Sequence, residues 1–107
     1  MYNIVFSPEA IRDLEEAKRY ITEELCNYIA AEKTVSAILN DIKMLSEFPE
    51  STPQLSSIVD FDTDYRFLVC GNYIAFYRIE DGFIRIVRIL YGKRSFMQIL
   101  FGEEQGE

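Results

Sequence analysis

The sequence has no histidine at all, and that absence excludes more chemistry than any residue present suggests. Nucleophilic triads built on Ser-His or Cys-His cannot be assembled, and acid or base work near neutral pH must fall to perturbed Asp, Glu, Tyr, Lys or Arg side chains. Only two cysteines occur, Cys26 and Cys70. They form no CxxC pair, so zinc-finger spacing is excluded and a structural disulfide is not expected. Glycine is scarce, with five residues and no phosphate-cradling Gly-rich loop, so neither a cofactor nor a metal is expected. No apolar run approaches the roughly 18 residues of a membrane span, and Met1 to Phe6 lacks the basic region and long apolar stretch of a secretory signal. The expected location is the cytoplasm, with no membrane association.

What is present is a 107-residue chain that is 49% hydrophobic, enough for one domain with a modest core. Residues 1–102 read as that domain and 103–107 as an acidic tail. The net charge of −7 is unevenly spread. Residues 1–65 hold 5 Lys/Arg against 13 Asp/Glu, residues 66–102 hold 6 against 2, and residues 103–107 hold 0 against 3. The positive C-terminal half either meets an anionic partner or neutralises the acidic half within the same fold.

Tyr2 to Phe6 alternates like a short strand. Ser7-Pro8-Glu9 then starts a helix, with Ser7 as cap, Pro8 where its missing N–H costs nothing, and Glu9 at the positive dipole end. Ile11, Leu14, Ala17, Ile21 and Leu25 form one apolar stripe, and Arg12, Asp13, Glu15, Glu16, Lys18, Arg19, Glu23 and Glu24 form a solvated face. After Cys26-Asn27 a second helical pattern, Ala31, Val35, Ile38, Leu39, Ile42 and Leu45, runs to Glu47-Phe48-Pro49, because the residue before proline is pushed out of helical geometry. Residues 49–64 read as a loop tacked to the core by Ile58 and Phe61.

Three β-rich runs follow. Gly71-Asn72 has the type II′ hairpin signature, which pairs Cys70 with Tyr73 and Arg66 with Tyr77. Glu80-Asp81-Gly82 suits a three-residue loop with a left-handed glycine, which pairs Ile79 with Phe83 and Ile74 with Arg88. In that register one face carries Arg66, Leu68, Cys70, Tyr73, Ala75, Tyr77, Arg85, Val87 and Ile89. The other carries Tyr65, Phe67, Val69, Ile74, Phe76, Arg78, Ile84, Ile86, Arg88 and Leu90. Both faces are apolar, so the helical hairpin covers one and residues 96–101 cover part of the other. The remainder is an expected docking groove built on Tyr65, Phe67, Ile74, Phe76, Arg78 and Ile86. The fold class is therefore α+β: a short strand, a helical hairpin, a three-strand antiparallel meander and a short C-terminal segment.

This order of elements, with Ser7-Pro8-Glu9-Ala10, Glu47-Phe48-Pro49, Gly71-Asn72-Tyr73, Phe76-Tyr77-Arg78 and Ile86 through Tyr91 followed by Gly92-Lys93-Arg94, resembles the RelE/ParE superfamily, and ParE more than RelE. These are the toxins of bacterial type II toxin-antitoxin modules, of the plasmid-stabilisation type. The resemblance implies a cognate antitoxin as partner, with a homodimer also open, and one of two activities: inhibition of DNA gyrase by ParE-type members, or metal-free, ribosome-dependent cleavage of mRNA by RelE-type members. A relic that only binds its antitoxin is the third reading.

Metal-free cleavage of RNA needs cations on the phosphorane and a group to move the 2′-OH proton. The resemblance places such a site on Arg94, Arg88, Lys93 and Tyr91. Several positions depart from it. Ile74 stands where RelE-type members carry an arginine, Tyr91 where histidine is common, and Leu100 near the place of a terminal tyrosine. Arg66 falls on the face opposite Ile74, while Arg88, placed across from Ile74, either compensates or pairs with an acidic residue of the C-terminal segment. A sequence pI of about 4.6 also opposes entry into an RNA-lined site. The gyrase-directed reading is favoured, and Arg94 in the exposed basic loop is expected to be needed for toxicity in either mechanism.

Overall fold

A computed structural model describes residues 1–92 and 96–102. Strand β1 (Asn3–Phe6) leads into α1 (Pro8–Arg19), which continues as a π-helical turn (Tyr20–Glu24). Helix α2 (Tyr28–Lys43) returns antiparallel and ends in a 3-10 turn (Met44–Ser46). Strands β2 (Arg66–Cys70), β3 (Tyr73–Glu80) and β4 (Phe83–Tyr91) form the meander, and α3 (Phe96–Phe101) follows. The sheet order is β1-β4-β3-β2, with β1 parallel to β4.

Both helices begin as their caps dictate. Ser7 Oγ accepts from the Ala10 N–H at 2.9 Å with Pro8 in the first turn, and Asn27 Oδ1 accepts from the Ala30 N–H at 3.0 Å. Between the helices the chain turns at Cys26, whose φ of 52° is unusual for a residue with a Cβ. The buried stripe of α1 is Ala10, Leu14, Ala17 and Ile21, not the expected one. Ile11 is 46% exposed and Leu25 57% exposed, because the π-turn re-phases the helix beyond Arg19 and Ile11 sits one residue off the seam. On α2, Ala31, Ile38 and Ile42, and on the 3-10 turn after it Leu45, are buried as the periodicity predicts, whereas Leu39 is exposed.

The first hairpin has the expected register, with Cys70 opposite Tyr73 and Arg66 opposite Tyr77, and Gly71 at φ +63°. The second does not. Its turn has two residues, Asp81 and Gly82, so Glu80 faces Phe83 and Ile79 faces Ile84. A bulge at Val87 then sets Tyr77 opposite Ile86 but Phe76 opposite Arg88 and Ile74 opposite Leu90. The shorter turn flips Ile84, Arg85 and Ile86 to the other face, and the extra residue at the bulge flips Ile89 and Leu90 back to where they were expected.

Two cores result. Between sheet and helices lie Cys70, Tyr73, Ala75, Tyr77, Ile84, Ile86 and Ile89 against Ala10, Ala17, Ile38, Ile42 and Leu45. Each fully buried large side chain here contributes about 1.5–3 kcal/mol. On the outer face Leu55, Phe76 and Leu90 are buried beneath Phe96, Ile99, Leu100 and Phe101. The loop is fixed by Leu55, which is fully buried, and not by Ile58, which is 60% exposed. Phe61 stays at the rim, edge-on to Phe101 at 5.1 Å. Cys26 and Cys70 are both free thiols.

Candidate functional site

Where β1 ends, α1 takes over the edge of β4. Pairing between the strands stops at Phe6 and Ile86, after which the Ser7 N–H donates to Ile86 O and Ser7 Oγ donates to Val87 O at 2.7 Å. Two turns further along α1, Asp13 Oδ2 accepts the Ile89 N–H at 2.9 Å. Polar groups of the helix thus replace the missing strand partner, as buried backbone groups require. The same Asp13 carboxylate binds Arg88 through both oxygens, at 2.8 and 2.9 Å. Asp13, placed by sequence on the solvated face, is nearly buried, and Arg88 pairs neither across from Ile74 nor with the C-terminal segment. These hydrogen bonds hold the Arg88 guanidinium still more firmly protonated than usual.

Beyond this pair a cleft of about 450 Å³ opens between α1, the π-turn, the start of β3 and the end of β4. Its walls carry Tyr20, Tyr73 and Tyr91, with the rings of Tyr73 and Tyr91 edge to face at 5.3 Å. Glu16, Glu23 and Glu24 line it against Arg19 and the Asp13–Arg88 pair. Among the described residues these three glutamates have no ion-pair partner. Of the four residues expected at a phosphate-binding site, Tyr91 and Arg88 meet in this cleft, while Lys93 and Arg94 lie outside the described residues. The described cleft therefore presents three free carboxylates and one free guanidinium, an environment that repels phosphate. Burial also pushes the Tyr73 phenol up, so it is neutral at physiological pH.

The expected docking groove is built differently from its prediction. Tyr65, Phe67, Ile74 and Phe76 share the outer face, and Arg78 lies over the Tyr65 ring at 5.4 Å while reaching Glu80 at 3.3 Å. Ile86 is fully buried on the opposite face, moved there by the two-residue turn. The groove is already occupied: Phe96 stacks on Phe76 at 5.4 Å, and Phe101 meets Tyr65 edge-on at 5.5 Å. Phe76 is 2% exposed as a result.

The described arginines of the sheet are all engaged within the fold. Arg66 donates to the loop carbonyls of Thr52 and Glu50, Arg78 and Arg85 share Glu80, and Arg88 holds Asp13. Among these described arginines Arg88 alone reaches a carboxylate of the acidic half; Arg66 meets neutral carbonyls, and Arg78 and Arg85 share Glu80 of their own half. Asp13, Tyr20, Glu23 and Glu24 were not singled out by their spacing as site residues. A signal for Asp13 existed: Ala10, Leu14, Ala17 and Ile21 recur at four, three and four, and Asp13 borders that stripe three residues after Ala10.

A strand, a helical hairpin and a meander with β1 parallel to β4 make up a RelE/ParE-like α+β fold. Residues 4–96 match the family described as the ParE toxin of the type II toxin-antitoxin system parDE. The chain belongs to that ParE toxin family. No curated protein matches the sequence. Among solved structures, the chromosomal ParDE system of P. aeruginosa is 22% identical over 87% of this chain and 98% of the other, with a TM-score of 0.74. The RelBE2 complex of Mycobacterium tuberculosis is 21% identical over 84% and 96%, with a TM-score of 0.59. The YoeB-YefM complex of Staphylococcus aureus is 20% identical over 85% and 97%, with a TM-score of 0.56. At these identities the structural likeness carries the fold. No helix among the described residues is long and apolar enough to cross a membrane.

Proposed function

We propose that this ParE-family toxin arrests growth by binding DNA gyrase, without chemistry of its own, and is neutralised by a cognate antitoxin. The observation that carries the reading is the fate of Arg88: the cation nearest the end of β4 among the described residues is taken up at both carboxylate oxygens by Asp13. A phosphorane would have to compete with that carboxylate and with the charges of Glu16, Glu23 and Glu24. Gyrase inhibition is what the ParE resemblance implies. The antitoxin pairing is supported by structures of the same fold that are toxin-antitoxin complexes, RelBE2 and DinJ-YafQ. An antitoxin segment seated on the outer sheet face must displace α3, a helix of six residues with none fully buried.

The test is induction of this protein alone in a bacterium, with separate pulse labels for DNA and protein synthesis, together with supercoiling by purified gyrase. DNA synthesis is expected to stop first and supercoiling to be inhibited. Translation stopping first would replace this reading with a RelE-like ribonuclease, and normal growth at full expression would leave an antitoxin-binding relic.

A further inference from the structure

We propose that the cleft between α1 and the end of β4 docks a lysine- or arginine-bearing segment of the cognate antitoxin, an inference that rests on the antitoxin pairing proposed above. The first argument is electrostatic. Asp13 and Arg88 form a close pair, and among the described lining residues Arg19 is the other cation that Glu16, Glu23 and Glu24 meet. Other carboxylates on the helices have found cations, Glu32 with Lys18 at 3.0 Å and Glu9 with Arg12 at 3.9 Å. The three cleft glutamates have none among the described residues, so the described part of the site carries an excess of negative charge.

The second argument is the chemistry of the walls. Tyr20 and Tyr91 are each more than half exposed, and aromatic faces beside carboxylates attract a guanidinium or ammonium more strongly than either group does alone. A volume of about 450 Å³ suits one or two long side chains. The third is local geometry: Tyr20, Glu23 and Glu24 all come from the π-turn, a departure from α-helical bonding that recurs at functional sites.

Charge also decides among occupants. Nucleic acid meets like charge in the cleft, and an apolar helix would strip water from three carboxylates without compensation. A second copy of this chain brings a net charge of −7 with it. A basic segment of a different chain meets none of these penalties, and a toxin-antitoxin module supplies such a chain.

The measurement is the binding of the purified toxin to the antitoxin encoded in the adjacent reading frame, at low and high salt, for wild type and for the triple variant Glu16→Gln, Glu23→Gln, Glu24→Gln. These side chains are exposed and have no ion-pair partner among the described residues, so the variant is expected to melt like wild type. Its association should slow roughly tenfold at low salt, and the gap should close at high salt. An unchanged association rate and salt slope in a folded variant overturns the inference. A variant that binds antitoxin normally but no longer inhibits gyrase also overturns it, by giving the cleft to gyrase. A wild-type protein that fails to bind that antitoxin sinks the pairing and the inference together, before any variant is compared.

Discussion

Asp13 on α1 serves Arg88 and the backbone of β4 at once: Arg88 Nε and Nη2 reach its two oxygens at 2.8 and 2.9 Å, and the Ile89 N–H reaches one of them at 2.9 Å. Three donors converge on one carboxylate, across a separation of 75 or 76 residues in sequence. Replacing Asp13 by alanine is expected to cost about 2–4 kcal/mol, because it strands a guanidinium and a strand N–H together. Arg88→Met should cost less, since Asp13 keeps its backbone partner. Urea denaturation of both single variants and the double variant gives the coupling. Strict additivity would show that the pair does not interact.

Residues 49–52 are clasped to the sheet from below. Tyr77 donates to Pro49 O at 2.7 Å and bonds Thr52 Oγ1, while Arg66 donates to Thr52 O at 2.6 Å. Tyr77→Phe removes one hydroxyl from a buried ring and is expected to cost about 1–2 kcal/mol. Arg66→Ala should loosen the same segment, with faster proteolytic nicking between residues 49 and 64. Unchanged nicking in a folded Arg66→Ala protein would mean that Tyr77 and Leu55 hold the segment without it.

Ser7 is a hinge pin between helix and sheet, since its hydroxyl accepts from Ala10 N–H and donates to Val87 O. Ser7→Ala is expected to destabilise by about 1–2 kcal/mol, at the upper end of the capping range because two bonds are lost. Ser7→Thr should recover most of it. Thermal melts of the two variants measure the difference.

The buried thiol makes stability sensitive to alkali. Desolvation, and then the charge of Asp41, push Cys70 from its ordinary value of 9.0 up to about 12. The folded state keeps a proton that the unfolded chain releases, so stability is full below 9.0 and declines as pH rises toward about 12. Tyr73 and Tyr77, also raised by burial, push in the same direction. Cys70→Ala is expected to be less stable than wild type at neutral pH by about 1 kcal/mol, from a small cavity. That gap should narrow across the alkaline window. A constant gap in melts at successive pH values would show that the thiol does not titrate on unfolding.

Much of the architecture is written in local signals that act alone. Ser7-Pro8 and Asn27 fix the helix starts, and Gly71-Asn72 fixes one hairpin, because each depends on only a few neighbouring residues. The second hairpin depends on a choice the sequence does not force. Asp81-Gly82 closes a two-residue turn as readily as Glu80-Asp81-Gly82 closes a three-residue one, and the bulge at Val87 has no residue signature of its own. That ambiguity carried Ile86 to the wrong face of the expected groove and set Arg88 opposite the wrong residue. The cleft was legible only in part. Tyr91 and Arg88, which line it, were singled out through the family resemblance as candidates for RNA cleavage, whereas Asp13, Glu16 and Glu23 read as ordinary solvated charges until α1 was laid against β4. The charge asymmetry was visible from composition, but whether it faced inward or outward depended on which carboxylate each arginine reached.

The bulge at Val87 makes chain length on either side of it unequal in importance. Before it, the Asp81-Gly82 turn stands in open space and can absorb an added residue by growing outward. After it, removal of one residue would invert Arg88, Ile89 and Leu90 together. The Arg88 guanidinium would be carried away from Asp13, Ile89 would lose its place above Ala75, and the Asp13 bond to the strand edge would have no donor in reach. Homologous strands of this fold should therefore differ freely in turn length yet keep a fixed count from the bulge to Gly92, a spacing rule that an alignment by residue type alone would not reveal.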